Sequence, residues 1–164
     1  MIIGIDPGLD GAIATISRLG CVDETVELFD MPTSAKQSGK GRQVNDYELS
    51  RIIRCCRASA LVAVVEAVGP TPQMGVTSAF SFGRTAGVVS GVLAAYQIPT
   101  VYVRPQMWKK HFGLLKMDKD ASRTLAMQRY PLVAEKLKLK KHIDRAEALL
   151  MATWQLDVAQ DACG

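Results

Sequence analysis

Nowhere does this chain carry the run of about 18 apolar residues that a membrane-spanning helix needs. Its opening Met1-Ile2-Ile3-Gly4-Ile5 is too short for a secretory leader and lacks the basic residues of one. A cytosolic protein with no membrane partner is therefore expected. None of the four cysteines sits in a Cys-x-x-Cys pair, and neither histidine stands at zinc-ligand spacing. Neither a zinc knuckle nor a disulfide framework is supported. Cys21, Cys55, Cys56 and Cys163 are expected to be free, mostly buried thiols. No internal repeat or low-complexity tract is present. What remains is 164 residues, 48% of them hydrophobic, enough to bury a central sheet and its covering helices in one domain spanning 1–164.

The formal charge of +4 conceals an asymmetry. Residues 104–145 hold twelve Lys/Arg against four Asp/Glu, a net of +8, and the rest of the chain holds eight against twelve, a net of −4. Concentrated positive charge suits a polyanionic partner, because each cation placed on a phosphate releases counterions. The alternative is an ordinary solvated helical face.

Periodicity predicts an α/β chain. Ile2 to Asp6, Ala12 to Ser17 and Val26 to Met31 read as three antiparallel strands joined by turns. Pro32 to Gln43 reads as a mobile basic loop carrying Lys36, Lys40 and Arg42. Asn45 or Asp46 caps a helix to about Arg57, with Tyr47, Leu49, Ile52, Ile53 and Cys56 inward. Leu61 to Val65 shows no polar alternation, as a strand buried on both faces does, and ends at Glu66. A helix from about Gly75 to Tyr96 precedes a strand at Thr100 to Val103. Its Gly83, Gly87 and Gly91 form a smooth side that packs within the subunit or against a second copy. Helices at Pro105 to Phe112, Asp118 to Arg129 and Lys141 to Val158 complete the set.

Chemistry concentrates on four acids. Asp6 and Glu66 each close an apolar strand, where open α/β sheets place ligand chemistry. Asp144 and Glu147, three apart, share a face of the last helix. Singly, each has a plain explanation: a turn with Pro7-Gly8, a helix cap, a terminal charge pair. Together they follow the strand, strand, helix order by which ribonuclease-H-like nucleases gather metal-binding carboxylates. Packed together, such groups are costly unless a divalent cation neutralises them. Two Mg²⁺ ions about 3.5–4 Å apart would serve an in-line phosphodiester displacement, with no protein nucleophile.

Ile3-Gly4-Ile5-Asp6-Pro7-Gly8, Val64-Val65-Glu66 and Asp144-Arg145-Ala146-Glu147-Ala148-Leu149-Leu150 resemble, in order and spacing, the RuvC-type Holliday-junction resolvases. The likeness runs from residue 2 to about 155. Trp108-Lys109-Lys110-His111-Phe112 makes it most similar to the branch of that family found in phages and chloroplasts. The resemblance implies a ribonuclease-H-like fold with a five-stranded mixed sheet flanked by helices, a homodimer, and Mg²⁺- or Mn²⁺-dependent paired nicking of four-way junction DNA. It also implies a bacterial or phage-infected cytoplasm, with an organelle stroma as the second choice. Asp6 and Glu66 match the first two metal-binding acids, and Asp144 and Glu147 the closing pair.

Relatives in that branch often place Asp-His before the closing motif, whereas here the order is His142-Ile143-Asp144, so either can complete the metal set. Where the family opens the junction centre with an apolar residue, this chain offers Met74, Phe80 or Phe82. In this setting Lys36, Lys40, Arg42, Arg84, Lys109, Lys110, Lys116, Lys119 and Arg123 become candidates for backbone phosphates, contacts that position DNA without reading sequence. Lys119 is the candidate nearest the scissile phosphate, where a cation offsets developing charge. His111 and His142 are expected to pack or to support the site. Three other readings stay open: a less selective nuclease of the same fold, a non-catalytic junction-binding protein, and a phosphotransferase of the actin-like kind, which would need two such domains.

Overall fold

The computed structural model describes all residues except 18–24, 38–39, 68, 70–72, 119 and 163–164. Among the described residues, seven strands and five helices follow in the order β1 (Ile2–Asp6), β2 (Ala12–Ser17), β3 (Thr25–Asp30), β4 (Thr33–Ala35), β5 (Arg42–Val44), α1 (Asp46–Cys56), β6 (Val62–Glu66), α2 (Val76–Ala95), β7 (Thr100–Val103), α3 (Pro105–His111), α4 (Asp120–Arg129) and α5 (Ile143–Asp161). Short 3-10 turns at Pro131–Lys136 and Lys140–His142 lead into α5.

The main sheet has the order β3-β2-β1-β6-β7. β1 runs antiparallel to β2, as β2 does to β3, whereas β1–β6 and β6–β7 are parallel. This is the five-stranded mixed sheet flanked by helices that the sequence predicts. Side chains alternate between faces every second residue. Ile3, Ile5, Ala63 and Val65 accordingly pack under α1 and α2, beside Leu49, Ile53, Val89 and Leu93. Ile2, Ala14, Ile16 and Val64 pack against the other helical layer, with Leu149, Leu150 and Ala152 of α5. Asp6 and Glu66 continue the Ile2/Gly4 and Val62/Val64 series, so the pleat directs both toward the α5 side. Parallel pairing of Ile5 with Val65 makes them neighbours at the strand ends.

The α5 layer comes unusually close at Gly4, where an added Cβ would lie 2.0 Å from the Ala148 carbonyl oxygen. Residues 146–153 of α5 are all buried except Glu147.

Two expectations are corrected. The stretch from Pro32 to Gln43, read as a mobile loop, holds β4 and the first two residues of β5, an antiparallel hairpin that pairs Thr33 with Val44 and Ala35 with Arg42. Tyr47, placed inward, is 78% exposed, and the buried stripe of α1 is Leu49, Ile52, Ile53 and Cys56. Asn45 is the cap, its side chain accepting from the Glu48 amide at 3.1 Å. Cys56 is buried but Cys55 is exposed, and both are free; Cys21 and Cys163 lie outside the described residues. No described helix is long and apolar enough to cross a membrane.

Candidate active site

Asp6 ends β1 in a turn whose Gly8 amide donates to its Oδ1 at 3.1 Å. The turn is tight: a Cβ on Gly11 would stand 2.2 Å from the Asp6 carbonyl oxygen. Burial raises the Asp6 pKa; the Gly8 hydrogen bond opposes that, the Glu147 charge adds to it and Lys109 opposes it. For Glu66, burial, then Asp6, then Glu147 push the carboxyl up to about 7, against the lowering effects of the Trp108 hydrogen bond and Lys109. Like charges in a dry environment disfavour one another's ionised form. Asp6, Glu66 and Glu147, from three elements far apart in sequence, thus form one electrostatic unit.

Their supports come from α3 and α4. The indole Nε1 of Trp108, a fully buried side chain, donates to Glu66 Oε1 at 3.3 Å. Ser122 Oγ donates to Glu147 Oε1 at 3.2 Å. Lys109 Nζ lies 2.9 Å from the same Glu147 oxygen and 4.9 Å from the centroid of the Trp108 ring. Lys109, read from sequence as a phosphate contact, instead turns its ammonium into the carboxylate group. Among the described residues, no three His, Cys, Asp or Glu side chains are gathered tightly enough to hold an ion as they stand.

Asp144 lies three residues before Glu147 in the first turn of α5 and is half-buried. His142 is buried and faces a different cluster: burial, then Arg145 and Lys141, lower its pKa, while Asp30 raises it. There Arg145 clamps Asp30 with Nε and Nη2 contacts of 2.5 and 2.6 Å, tying α5 to β3. His111 contacts Asp157 at 3.0 Å, and Arg129 shares that carboxylate.

The proposed DNA contacts divide by location. Lys36, Arg42, Met74, Phe80 and Arg84 surround a trough between the β4–β5 hairpin and α2. Lys40, Lys110 and Lys116 are exposed. Arg123 is not free for phosphate: it grips Asp120 at 2.7 Å with both Nε and Nη2 and donates to the Leu137 and Lys138 carbonyls. Lys119 lies outside the described residues. Sequence reasoning missed Trp108 and Ser122 as supports. Trp108 was visible within its motif, but no spacing rule tells that a tryptophan will reach a carboxylate 42 residues earlier.

The chain matches no protein-family profile and no curated protein sequence. It does match solved structures. A Thermus thermophilus RuvC structure superposes with a TM-score of 0.58 at 15% identity, covering 96% of each chain. T. thermophilus RuvC in complex with Holliday junction substrate superposes with a TM-score of 0.59 at 17% identity, covering 97% of this chain and 94% of that one. The architecture built above is thus the ribonuclease-H-like fold of RuvC.

Proposed function

We infer that this chain is a RuvC-type resolvase, a single nuclease domain over 1–164 that cuts four-way DNA junctions as a homodimer in the cytoplasm. The observation that carries the reading is the convergence of Asp6, Glu66 and Glu147 on one face, with burial and mutual repulsion holding Asp6 and Glu66 above the usual carboxylate range. A merely structural trio would not be kept short of counter-charge. The fold likeness to a protein solved with a junction supports the substrate class. Trp108 and Lys109, both in contact with the carboxylates, favour the phage and chloroplast branch, whose motif they form.

The donors suit Mg²⁺ or Mn²⁺, since all are hard oxygens, and the Lys109 ammonium on Glu147 marks where positive charge is wanted. Asp6, Glu66 and Glu147 would hold the metal, with Asp144 the fourth acid from the same helix turn. Bound there, it supplies the activated water and the charge neutralisation that phosphodiester hydrolysis needs. The protein's own part is positioning. Trp108 and Ser122 fix the rotamers of Glu66 and Glu147, the Gly8 amide fixes Asp6, and the exposed lysines hold phosphates. Lys119 keeps its proposed place near the scissile phosphate.

Dimerisation draws support from α2. Gly83, Gly87 and Gly91 are exposed, and nothing lies within 4 Å of a Cβ added to any of them. Packing within the subunit therefore does not explain them, although each weakens the helix by about 1 kcal/mol relative to Ala. A second copy lying close along that side does.

The test is cleavage of a four-way junction, a linear duplex and an RNA:DNA hybrid, with and without Mg²⁺, alongside light scattering. Symmetric paired nicks in the junction alone, only with metal, and a mass twice the 17.8 kDa chain are expected. Equal cutting of all three substrates sinks the resolvase reading. A separate outcome concerns Lys109. Lys109→Met should bind Mn²⁺ about tenfold tighter by calorimetry, because a competing cation is gone, and should melt earlier in chelator, because three carboxylates lose their counter-charge. Unchanged or weaker Mn²⁺ binding would show that Lys109 does not occupy the metal's place.

A further inference from the structure

Two arginines are used in the same way at the entrance to α5. Arg145 holds Asp30 of β3 in a fork, Nε to Oδ1 at 2.5 Å and Nη2 to Oδ2 at 2.6 Å, while its Nη1 donates to the Lys136 carbonyl at 3.1 Å. Arg123 holds Asp120 in the same fork at 2.7 Å, while its Nη1 donates to the Leu137 and Lys138 carbonyls at 3.3 and 2.7 Å. Three consecutive carbonyls, 136 to 138, thus receive guanidinium N–H groups from two sides. Because the planar fork of a guanidinium matches a carboxylate, each arginine is oriented by its acid as it reaches the turn. Asp30 itself is exposed, but only 12% of the Arg123 side chain and 21% of the Arg145 side chain remain so.

The pinned turn decides where α5 begins. Leu137 is fully buried, and one residue past Lys138 the Leu139 carbonyl accepts from the His142 amide at 2.8 Å. From there α5 starts at Ile143 with no side-chain cap. An uncapped helix start is held only by the contacts around it. Here those contacts reach from α5 itself to β3 through Arg145, and from α4 through Arg123. Both arginines stand close to Glu147 in the chain: Arg145 precedes it by two residues, and Arg123 follows Ser122, whose hydroxyl donates to Glu147 Oε1. Their forks are filled by Asp30 and Asp120, so they act on Glu147 through the backbone.

We propose that Arg123 and Arg145 are positioning residues for the metal site. By locking the turn at 136–138 they set the opening of α5, and with it the place of Glu147 beside Asp6 and Glu66. The inference rests on the resolvase reading above and adds to it the device that fixes the third acid. Its consequence is that the site depends on β3, an edge strand that supplies none of the carboxylates.

The test uses the full chain with Arg123→Lys and Arg145→Lys, which keep the charge and lose the fork, and with Asp30→Asn and Asp120→Asn, which weaken each fork from its exposed end. Folding is checked by circular dichroism at 10 °C. Each lysine variant should bind Mn²⁺ about tenfold more weakly by calorimetry, the lower end of what the outer partners of metal ligands contribute. At saturating Mn²⁺ its kcat for junction nicking should fall by about tenfold to 10²-fold, the scale of a misplacement of about 1 Å, while KM and junction affinity in chelator stay within twofold. The asparagine variants should show the same pattern in milder form, and the double lysine variant should lose less than the product of the single losses, because both arginines hold one turn. Wild-type Mn²⁺ affinity and kcat in the folded variants overturn the proposal and leave the arginines as supports of the fold. Weaker junction binding in chelator with unchanged Mn²⁺ affinity also overturns it, and returns Arg123 to the phosphates. If the wild type itself binds no Mn²⁺ and nicks no junction, the resolvase reading fails and this inference with it.

Discussion

Glu66→Gln should lower the junction-nicking rate by roughly 10³-fold, a loss of the size seen when a preorganised electrostatic group is removed from a catalytic site, while junction affinity in chelator stays within twofold. The amide keeps the Glu66 shape and still accepts from the Trp108 indole, so the fold has no reason to move. What it loses is an anionic oxygen ligand. A non-catalytic junction-binding protein predicts no change in processing, which makes the two readings separable in one gel assay. The same variant reports on stability. Glu66 rises from 4.5 to about 7 in the folded chain, so between those pH values the folded state holds a proton that the unfolded state has released. Stability of the metal-free protein must therefore fall as pH rises through that window. Allowing for partial solvent screening, the fall is on the order of 1–3 kcal/mol. Glu66→Gln should flatten most of it, leaving the slope due to Asp6, which is shifted in the same direction. Urea titrations at pH 5 and pH 8 in chelator measure this. A wild type more stable at pH 8 would contradict the electrostatic account of the site.

The parts legible in sequence were those governed by short periods. Apolar runs ending in Asp6 and Glu66 gave β1 and β6 to the residue at their C-terminal ends, and two-residue alternation alone puts both acids on one face. The i, i+3 spacing likewise placed Asp144 and Glu147 on one side of α5. What escaped were features decided by tertiary contact. β4 and β5 are three residues each, too short for alternation to show, and their Gly- and Lys-rich connection reads as loop. Tyr47 lies nearly 180° around α1 from the Leu49, Ile52, Ile53 and Cys56 stripe, so helical phase itself puts the ring in solvent and its apolar character alone suggested the interior. Lys109 and Arg123 look equivalent as isolated cations. Only the fold shows one turned onto Glu147 and the other locked between Asp120 and two carbonyls.

Gly4→Ala should cost about 3 kcal/mol or more, the upper end of the usual range for overpacking a core, and lower the melting temperature by about 10 °C for a chain of this length. The reason is a contact with backbone on both sides. A Cβ at this position meets the Ala148 carbonyl oxygen at 2.0 Å, the Ala148 carbonyl carbon at 3.0 Å and the Ala152 amide nitrogen at 3.0 Å. No rotamer change relieves that clash; α5 must move off the sheet. Glu147 is the residue before Ala148, so a displacement there separates it from Asp6, whose charge it perturbs. Loss of nicking should therefore exceed what the unfolded fraction alone explains, and Mn²⁺ affinity should fall even at 10 °C, where the variant is mostly folded. Substituting Gly69, where an added Cβ meets nothing within 4 Å, is the matched control and should leave stability and Mn²⁺ affinity near wild type. A Gly4→Ala protein with wild-type melting would mean that α5 does not rest on β1 at Gly4, and the gathering of the three carboxylates would lose its mechanical basis.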